Sequence, residues 1–440
     1  MAVRAAQARG RTDKEGPSRA RASRRRPPPL EHRILTTATL CLLAFGAVMV
    51  YSASSPLGVI NAGGHGLGTG EFVTYLLAAA IGLLAMRFGE RHGLALLTPA
   101  FVRGLLLVSF VLLVAVLGVG QDIGGARRWI GAGGLQFQPS EVMKLALILY
   151  VARYLADNPK RLHRGLKQAI APIAVVVGPA CALIYAEPDL GTMLVVCMTL
   201  AALLIAAGMP WRHLGVLAGL AILAVGVLVL SSAYQRARLL SFLHPWAVKS
   251  TSGFQAVQGQ IALGSGGIFG VGLGKSIQKV LYLPEAQTDF ILAVIGEELG
   301  VMGILAVALL YGMIAYAGLR TARKAATRYA KLLATGLTSL ILCQGILNIF
   351  VVLGIAPLTG VPLPFISYAP SSLCVLLASV GLLLNIARPS ARSLQAVDDS
   401  PGTTGRERSI AGERAADRDR RRRDGRARGS GAGGRRRAAG

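Results

Sequence analysis

The sequence has few charged residues and no cysteine or histidine pattern that would bind a metal. Of its 440 residues only 15% are charged, whereas a soluble domain has about 25%. The hydrophobic fraction is 53% and the mean hydropathy +0.54, which excludes an ordinary soluble domain. The five cysteines lie singly in apolar runs without a CxxC pair. We therefore predict packing roles for the cysteines rather than disulfides or metal binding.

The charge that is present is concentrated at the two ends. Residues 1–33 contain ten Lys or Arg and three acids, and residues 388–440 contain fifteen Arg and seven acids. These segments have few large apolar residues, so we expect both to be disordered. Their positive charge favours attraction to anionic lipid on the cytoplasmic face over binding to nucleic acid.

Ten apolar runs, most of them near the 20 residues that a helix needs to cross a bilayer, lie between these tails. The first begins near Ile34 and is too long for a cleavable signal peptide. The sequence therefore predicts an all-α polytopic membrane protein with about ten transmembrane helices in residues 34–387. The expected spans are 34–54, 72–87, 101–119, 140–155, 168–186, 190–208, 213–231, 289–318, 332–354 and 369–387.

Lys and Arg placement predicts that both termini are cytoplasmic, because the loops on that side are basic and the outer loops near 55–71, 187–189 and 355–368 contain neither residue. Two outer loops break the rule. Arg127 and Arg128 lie in the loop 120–139, and the long loop 232–288 contains Arg236, Arg238, Lys249, Lys275 and Lys279. Charge alone fits equally an anionic ligand in these loops or anchoring to outer-leaflet phosphates.

Acidic residues near apolar runs are rare and costly, at about 2.5–3.5 kcal/mol near mid-membrane. Asp289 opens the eighth predicted span and Glu297 follows on nearly the same helix face, whereas Glu298 points the opposite way. Asp289 is a candidate catalytic acid or base. The alternative is an acid stabilised by a helix N-terminus, where Thr288 would serve equally as the cap.

Three further polar pairs interrupt the predicted bundle, namely Glu141 with Lys144, Glu187 with Asp189, and Gln344 with Asn348. The first has the spacing of an ion pair on one helix face. In the second, the turn predicts a capping role for Asp189 as readily as ligand binding. The third pair fits hydrogen bonds between helices or contacts to a sugar.

A glycine-rich stretch at 264–276 resembles a nucleotide-binding loop but fails the pattern, because Phe269 stands where that motif needs glycine. Its backbone N–H groups are candidates for phosphate contacts. The alternative is a simple flexible, re-entrant loop.

Several longer motifs, in colinear order over residues 34–387, closely resemble the SEDS family (FtsW, RodA and SpoVE). They are residues 125–130 (GARRWI), 138–141 (QPSE) with Lys144, 187–192 (EPDLGT), 258–267 (QGQIALGSGG), 270–274 (GVGLG), Gln278-Lys279, 283–285 (LPE), 288–290 (TDF), 296–300 (GEELG) and 362–368 (PLPFISY). One departure is Ala369-Pro370, where the family usually has Gly-Gly. That change leaves the local backbone in question, because proline fixes φ and lacks an N–H.

The resemblance implies a ten-helix fold and a peptidoglycan glycosyltransferase that polymerises lipid II at the outer face of the cytoplasmic membrane. It implies that Asp289 is the catalytic residue, taking the proton of the acceptor hydroxyl. Cations or oriented donors would stabilise the leaving diphosphate. The candidate substrate-binding residues are Arg127, Arg128, Glu141, Lys144, Glu187, Asp189, Arg236, Arg238, Gln258, Gln260, Lys275, Lys279, Glu297, Gln344, Asn348 and Ser367.

The resemblance also implies partners. These are lipid II and the growing polyprenyl-diphosphate glycan, membrane lipids, a class B penicillin-binding transpeptidase, and divisome or elongasome proteins; no nucleic acid is expected. The residues of these motifs are more similar to those of division-type FtsW than to those of elongation-type RodA. A divalent cation, Mg²⁺ or Mn²⁺, is compatible with the chemistry. The alternatives are a lipid II flippase, which would show inverted repeats and broken helices, and a non-catalytic division scaffold.

Overall fold

The structure, a computed structural model, describes residues 28–61, 70–123, 126–132, 135–280 and 282–388. Most of both predicted tails, residues 1–27 and 389–440, lies outside these ranges, and their expected disorder stays a prediction. The first helix begins at Leu30, four residues before the predicted span.

Thirteen α-helices account for most of the described chain. They are α1 Leu30–Asn61, α2 Gly70–Leu96, α3 Pro99–Val119, α4 Pro139–Asp157, α5 Arg161–Arg164, α6 Leu166–Ala186, α7 Leu190–Ala207, α8 Trp211–Ser231, α9 Ala233–Leu243, α10 Phe254–Gly266, α11 Ile291–Lys324, α12 Arg328–Val352 and α13 Pro370–Ala387. Each of the ten predicted spans corresponds to one long helix. Nine of these are long and apolar enough to cross a membrane, within the described ranges. The tenth, α4, is interrupted by charged residues, among them Glu141 and Lys144.

Glycines bring the helices of the bundle close together, most clearly between α2 and α13. A Cβ added to Gly381 would lie 2.3 Å from the carbonyl oxygen of Met86, and one added to Gly82 would lie 2.5 Å from Leu377 Cδ1. Small residues allow such close approach where lipid provides no hydrophobic drive between helices. By contrast α8 is peripheral, since none of its residues is buried.

A small antiparallel sheet follows α3, in a region where the sequence predicts only a loop. Its strands are β1 Gln121–Ile123, β2 Ala126–Ala132 and β3 Leu135–Phe137, in the order β1-β2-β3. Gln121 pairs with Trp129, and Ile130 pairs with Phe137. β1 and β3 have three residues each, too few for a readable alternating pattern, and the seven residues of β2 (ARRWIGA) do not alternate between apolar and polar. This departure from the all-α prediction therefore had no signal in the sequence.

The departure at Ala369-Pro370 fits the fold without distortion. Pro370 is the first residue of α13 and Ala369 is its N-cap. The first residues of a helix have no intrahelical partner for their N–H groups, so the missing N–H of proline costs nothing at this position.

The long loop 232–288 is not a plain loop. It contains α9, a 3-10 helix at Pro245–Val248, and α10. After α10 the glycine-rich segment 267–272 runs alongside a break in α11 at Gly300, where φ is 68° and ψ is −164°.

Backbone hydrogen bonds from segment 267–272 pair with the groups of α11 that are left without helical partners at this break. Val271 N–H donates to Glu297 O (2.9 Å), Gly272 N–H donates to Glu298 O (3.0 Å), and Val301 N–H donates to the carbonyl of Gly267 (3.0 Å). An apolar environment tolerates a broken helix only where other groups satisfy its backbone. The N–H groups of Val271 and Gly272 therefore bind α11 and are not available to a phosphate.

Gly300→Ala should destabilise the protein. The backbone conformation is one that L-residues rarely adopt, and the new Cβ would lie 2.3 Å from Ile268 O. The strain alone costs about 1–3 kcal/mol, so we expect a lower midpoint of thermal unfolding in detergent. Gly312→Ala is the matched control, because it lies in the same helix with open space around its Cβ. Equal midpoints for the two variants would contradict the role assigned to Gly300.

Candidate functional site

Asp289 lies in the turn that precedes α11, not in the helix itself. The N-cap of α11 is Phe290 and has no side-chain cap. Thr288 donates instead to Glu285, to the carbonyl oxygen at 3.1 Å and to Oε2 at 2.9 Å. Neither Asp289 nor Thr288 therefore caps α11 with its side chain, so the capping alternative is wrong. Stabilisation of Asp289 by the helix N-terminus, which begins one residue later, stays a prediction. Glu285 starts this turn with a φ of 55°.

The Asp289 carboxylate is held only weakly. Its Oδ1 accepts from Gln255 Nε2 at 3.5 Å and lies 3.3 Å from Thr288 Oγ1, whose single proton the nearer Glu285 oxygens compete for. No other residue within the described ranges donates a hydrogen bond to its Oδ2. The backbone carbonyl of Asp289, however, accepts a 2.7 Å hydrogen bond from Asn348 Nδ2. The main chain is thus fixed while the carboxylate stays available.

The environment of Asp289 raises its pKa to about 7. Burial is the largest cause, because it disfavours the charged carboxylate, and the negative charge of Glu285 adds to it. A backbone hydrogen bond of Asp289, the positive charge of Arg238 and the Thr288 hydroxyl oppose this rise. A carboxyl group with this pKa can accept a proton near neutral pH and release it again.

Arg128 faces Asp289 across Gly360. From β2, its Nε donates to Glu187 O at 3.0 Å and its Nη2 donates to Pro188 O. A Cβ built on Gly360 would lie 3.9 Å from Arg128 Nη1 and 4.0 Å from Asp289 Oδ2. The two polar groups are therefore within about 8 Å of each other. Gly360 has a φ of 71°, which favours glycine and leaves this space without a side chain.

Arg238 is a second cation near Asp289. It lies in α9, where its Nη1 donates to Leu358 O at 3.3 Å and its guanidinium stacks over the Tyr234 ring at 4.7 Å. Its charge acts on the Asp289 pKa. Of the loop cations predicted as ligands of an anion, the structure thus brings Arg128 and Arg238 close to Asp289.

Buried side chains on α4 and α12 hold the segment that carries Gly360. Asn348 donates to Val361 O at 2.8 Å, and Gln344 donates to Pro362 O at 3.1 Å. Lys144 donates to Gln344 Oε1 at 3.1 Å and to Glu141 at 2.8 Å. The structure thus confirms the Glu141–Lys144 ion pair and gives both amides a structural role.

Ser367 stabilises the turn that follows this segment. Its Oγ accepts from Leu363 N at 2.8 Å, and Tyr368 N–H donates to Gln287 O at 2.9 Å. The second hydrogen bond joins this turn to the loop that contains Asp289. Ser367 is itself buried, which favours a structural role over direct contact with a sugar.

Asp189 and Glu187 differ although they are two residues apart. Asp189 Oδ1 caps α7 by accepting from Thr192 N at 3.0 Å, and its Oδ2 accepts from Gln138 at 3.1 Å. This confirms the capping interpretation. Glu187 is fully buried, and neither carboxyl oxygen has a partner among the described residues. Burial raises the pKa of Glu187 to about 8; the Asp189 charge adds to this rise and Arg128 opposes it.

Two other predicted ligands have structural partners instead. The buried Lys279 ammonium donates to Glu298 at 2.7 Å and to Ser52 at 2.9 Å. Glu297 accepts hydrogen bonds from Ser276 Oγ and, at 3.0 Å, from Ile277 N. Both side chains therefore secure the loop to the bundle. The prediction that Glu297 lies on nearly the same helix face as Asp289 is wrong, because α11 begins after Asp289.

The five remaining candidates lie at the surface or on α10. Three are exposed at the surface, namely Arg127, Arg236 and Lys275. Gln258 and Gln260 are half-buried on α10, and Gln260 lies against Gly354 at the end of α12. None of these five makes a hydrogen bond to Asp289 within the described part of the chain.

Sequence reasoning missed Gln255 and Gly360. Gln255 is a polar residue in the first turn of α10, a position with no distinguishing pattern. Gly360 sits in a glycine- and proline-rich loop, and such a loop gives no sign of which glycine adjoins an acid.

The helical bundle and its acid–arginine site define a polytopic membrane protein with a polar site at one end. The chain belongs to the FtsW/RodA/SpoVE family, described as cell cycle proteins, whose family model matches residues 32–392. It is 39% identical over 361 residues to the stage V sporulation protein E of Bacillus subtilis, covering 81% of this chain and 97% of that protein. It is 40% identical over 355 residues to a probable peptidoglycan glycosyltransferase FtsW of Coxiella burnetii, covering 79% and 94%.

Solved structures resemble the fold as well. A structure described as the structural coordination of polymerization and crosslinking by a peptidoglycan synthase complex contains a chain with a TM-score of 0.63 and 30% identity, covering 80% of this chain and 96% of that one. The rod shape determining protein RodA of Thermus thermophilus matches with a TM-score of 0.57 and 28% identity, covering 80% and 95%.

Lys144→Met should destabilise the protein strongly, because it leaves Glu141 buried without its cation. Breaking one partner of a buried ion pair costs about 3–5 kcal/mol. The double variant Glu141→Leu/Lys144→Met removes both charges, so we expect it to recover at least half of that loss. Thermal unfolding of the purified variants in detergent would measure this. A double variant as unstable as the single one would show that the ion pair is not the cause.

Proposed function

We propose that this protein is a peptidoglycan glycosyltransferase that polymerises lipid II, with Asp289 as the general base. The observation that carries the proposal is the weakly bonded Asp289 carboxylate, with a pKa of about 7, facing Arg128 across Gly360. The names of its relatives among the FtsW proteins support the activity.

The reaction follows from this geometry. Asp289 accepts the proton of a sugar hydroxyl on the acceptor as that oxygen forms the new glycosidic bond to the donor sugar. The bond between the donor sugar and its diphosphate breaks, and the electron pair leaves with the polyprenyl diphosphate. Positioned proton transfer of this kind contributes about 10²–10⁴-fold to rate.

The leaving diphosphate needs positive charge in place before the bond breaks. Arg128 supports this role, because its Nε and Nη2 bind carbonyl groups while Nη1 points toward Gly360. Arg238 is the second candidate. The exposed Arg127, Arg236 and Lys275 are candidates for the first encounter with anionic substrate rather than for contact at the reacting bond.

The described residues do not fit a metal ion held by protein side chains alone, since no group of three His, Cys, Asp or Glu is found among them. We therefore derive no step through a metal. A Mg²⁺ or Mn²⁺ requirement stays a prediction in which phosphate oxygens of the substrate would supply most ligands.

The active site is proposed to lie at the outer face of the cytoplasmic membrane, as the Lys and Arg distribution predicts. A class B penicillin-binding transpeptidase is the proposed partner, because the synthase complex among the structural neighbours couples polymerization to crosslinking. Divisome membership is proposed over elongasome membership from the FtsW-like motifs, and lipid II and membrane lipids complete the proposed contacts.

One observation bears on the flippase alternative. Transporters of that kind use discontinuous helices, and α11 is broken at Gly300. The backbone of segment 267–272 fills this break with hydrogen bonds, which favours a structural break over a transport site. The scaffold alternative rests on the tails, and normal cell-wall synthesis after deletion of both tails would argue against it.

Asp289→Asn should reduce lipid II polymerisation by at least about 100-fold, since the amide cannot take the acceptor proton. The assay uses purified protein, alone and with its transpeptidase partner, with gel analysis of glycan strands in the presence of moenomycin. Asp157→Asn is the matched control, because Asp157 is an exposed acid at the far end of α4. Full polymerisation by Asp289→Asn would refute the assignment. Movement of labelled lipid without polymer would favour the flippase.

The polymerisation rate should rise with pH through about 7, because the base acts when Asp289 has lost its proton. Glu285→Gln removes a negative charge that raises this pKa, so the rise should move to lower pH. Arg238→Gln removes a positive charge that lowers the pKa, so the rise should move to higher pH. Rate profiles between pH 5 and 9 test both directions. Shifts of the same sign in the two variants would contradict the assignment of the titrating group.

A further inference from the structure

A cavity of about 540 Å³ lies at the opposite end of α11 from Asp289. The start of α1, the ends of α2 and α13, and the turn between α11 and α12 surround it. Its lining includes Glu31, Arg91, Lys324, Thr327 and Arg388. The volume is within the usual range for a small-molecule site, about 300–1,000 Å³. The Lys and Arg distribution predicts that this end faces the cytoplasm.

Two buried carboxylates hold these helix ends together. Glu31 pairs with Lys324 at 2.7 Å and with Arg320 at 2.8 Å. Glu90 pairs with Arg388 at 2.5 Å, and it also pairs with His32 and Arg87. Glu31 and Glu90 are both buried and already paired with cations. They therefore neutralise only part of the positive charge around the cavity.

Positive charge remains in excess around the cavity. The lining contains three cations, Arg91, Lys324 and Arg388, and one carboxylate, Glu31. Arg91 lines the cavity and has no carboxylate within 4.0 Å among the residues whose structure is described. Thr327 adds the N-terminus of α12, which is the positive end of that helix dipole. The cavity is therefore suited to an anion.

The surroundings identify the kind of anion. Exposed Leu94 lines the cavity, and exposed Leu30 and Leu96 lie on the helix ends that border it, so an apolar surface adjoins the cationic one. The adjoining tails are strongly basic and do not suit a cationic cavity. In a ligand with a phosphate and acyl chains, the phosphate would bind the cationic surface and the acyl chains would pack on the apolar one.

We propose that this cavity binds the phosphate headgroup of an anionic phospholipid, with Arg91 as its main unpaired cation. The site is separate from the proposed catalytic site and does not rest on it. Bound lipid would also stabilise the junction of α1, α2, α11 and α13, adding to the Glu31 and Glu90 ion pairs and to the hydrogen bonds of Asn385 with Glu90 O and Leu94 N.

Native mass spectrometry of the full-length protein, titrated with phosphatidylglycerol, tests the proposal. Arg91→Gln should weaken the tightest binding event about fivefold, the factor expected for one basic residue near an anionic lipid surface. Ala326→Trp should weaken binding at least as much, because an exposed alanine in the lining becomes a bulky side chain without a charge change. Phosphatidylcholine should bind more weakly than phosphatidylglycerol.

Arg33→Gln and Arg323→Gln are the matched controls, since both are exposed arginines at the same end that do not line the cavity. They should bind phosphatidylglycerol as the unmodified protein does. Unchanged binding in both Arg91→Gln and Ala326→Trp would overturn the site. Inorganic phosphate binding as tightly as the lipid would overturn the lipid as its source, and displacement by a polyglutamate peptide would point instead to an acidic protein segment.

Discussion

The amide of Asn348 joins the two segments on which the site depends. From the core-facing side of α12 it donates to the carbonyl of Asp289 and to the carbonyl of Val361. The first carbonyl belongs to the turn before α11 and the second to the segment that carries Gly360. Because the environment is apolar, a buried carbonyl without a partner would be costly. The Asn348 side chain thus fixes the main chain at Asp289 and also at Val361, which adjoins Gly360.

Four of the cations predicted as ligands fall into two groups by what they bind. Lys144 and Lys279 are buried, so each is neutralised by a nearby carboxylate. Arg128 and Arg238 instead bind backbone carbonyls, which orient a guanidinium without cancelling its charge. Arginines held in this way keep their attraction for an anion, whereas the two lysines have lost most of theirs to internal pairs.

Much of the fold could be predicted from the sequence, because the length of an apolar run alone indicates a membrane-crossing helix. The Glu141–Lys144 pair and the cap at Asp189 were also predictable, since both depend on residues three apart in sequence. Lys279 and Arg128 could not be told apart, because both are basic residues in outer loops and only tertiary contacts with Glu298 or with Pro188 separate them. The break at Gly300 had no local signal either, since the partner segment lies about 30 residues earlier.

Asp189 and Asp289 show how the hydrogen bonds of a carboxylate determine whether it serves as a helix cap or as a base. Asp189 accepts two hydrogen bonds of 3.0 and 3.1 Å, and these hold the start of α7 to Gln138. The donors that other residues bring to the Asp289 carboxylate, Thr288 Oγ1 and Gln255 Nε2, lie 3.3 and 3.5 Å away. Shorter bonds would favour the charged form and lower the pKa of Asp289, leaving a weaker base. Because Asn348 fixes the main chain of Asp289, the Asp289 carboxylate stays in place without strong hydrogen bonds of its own.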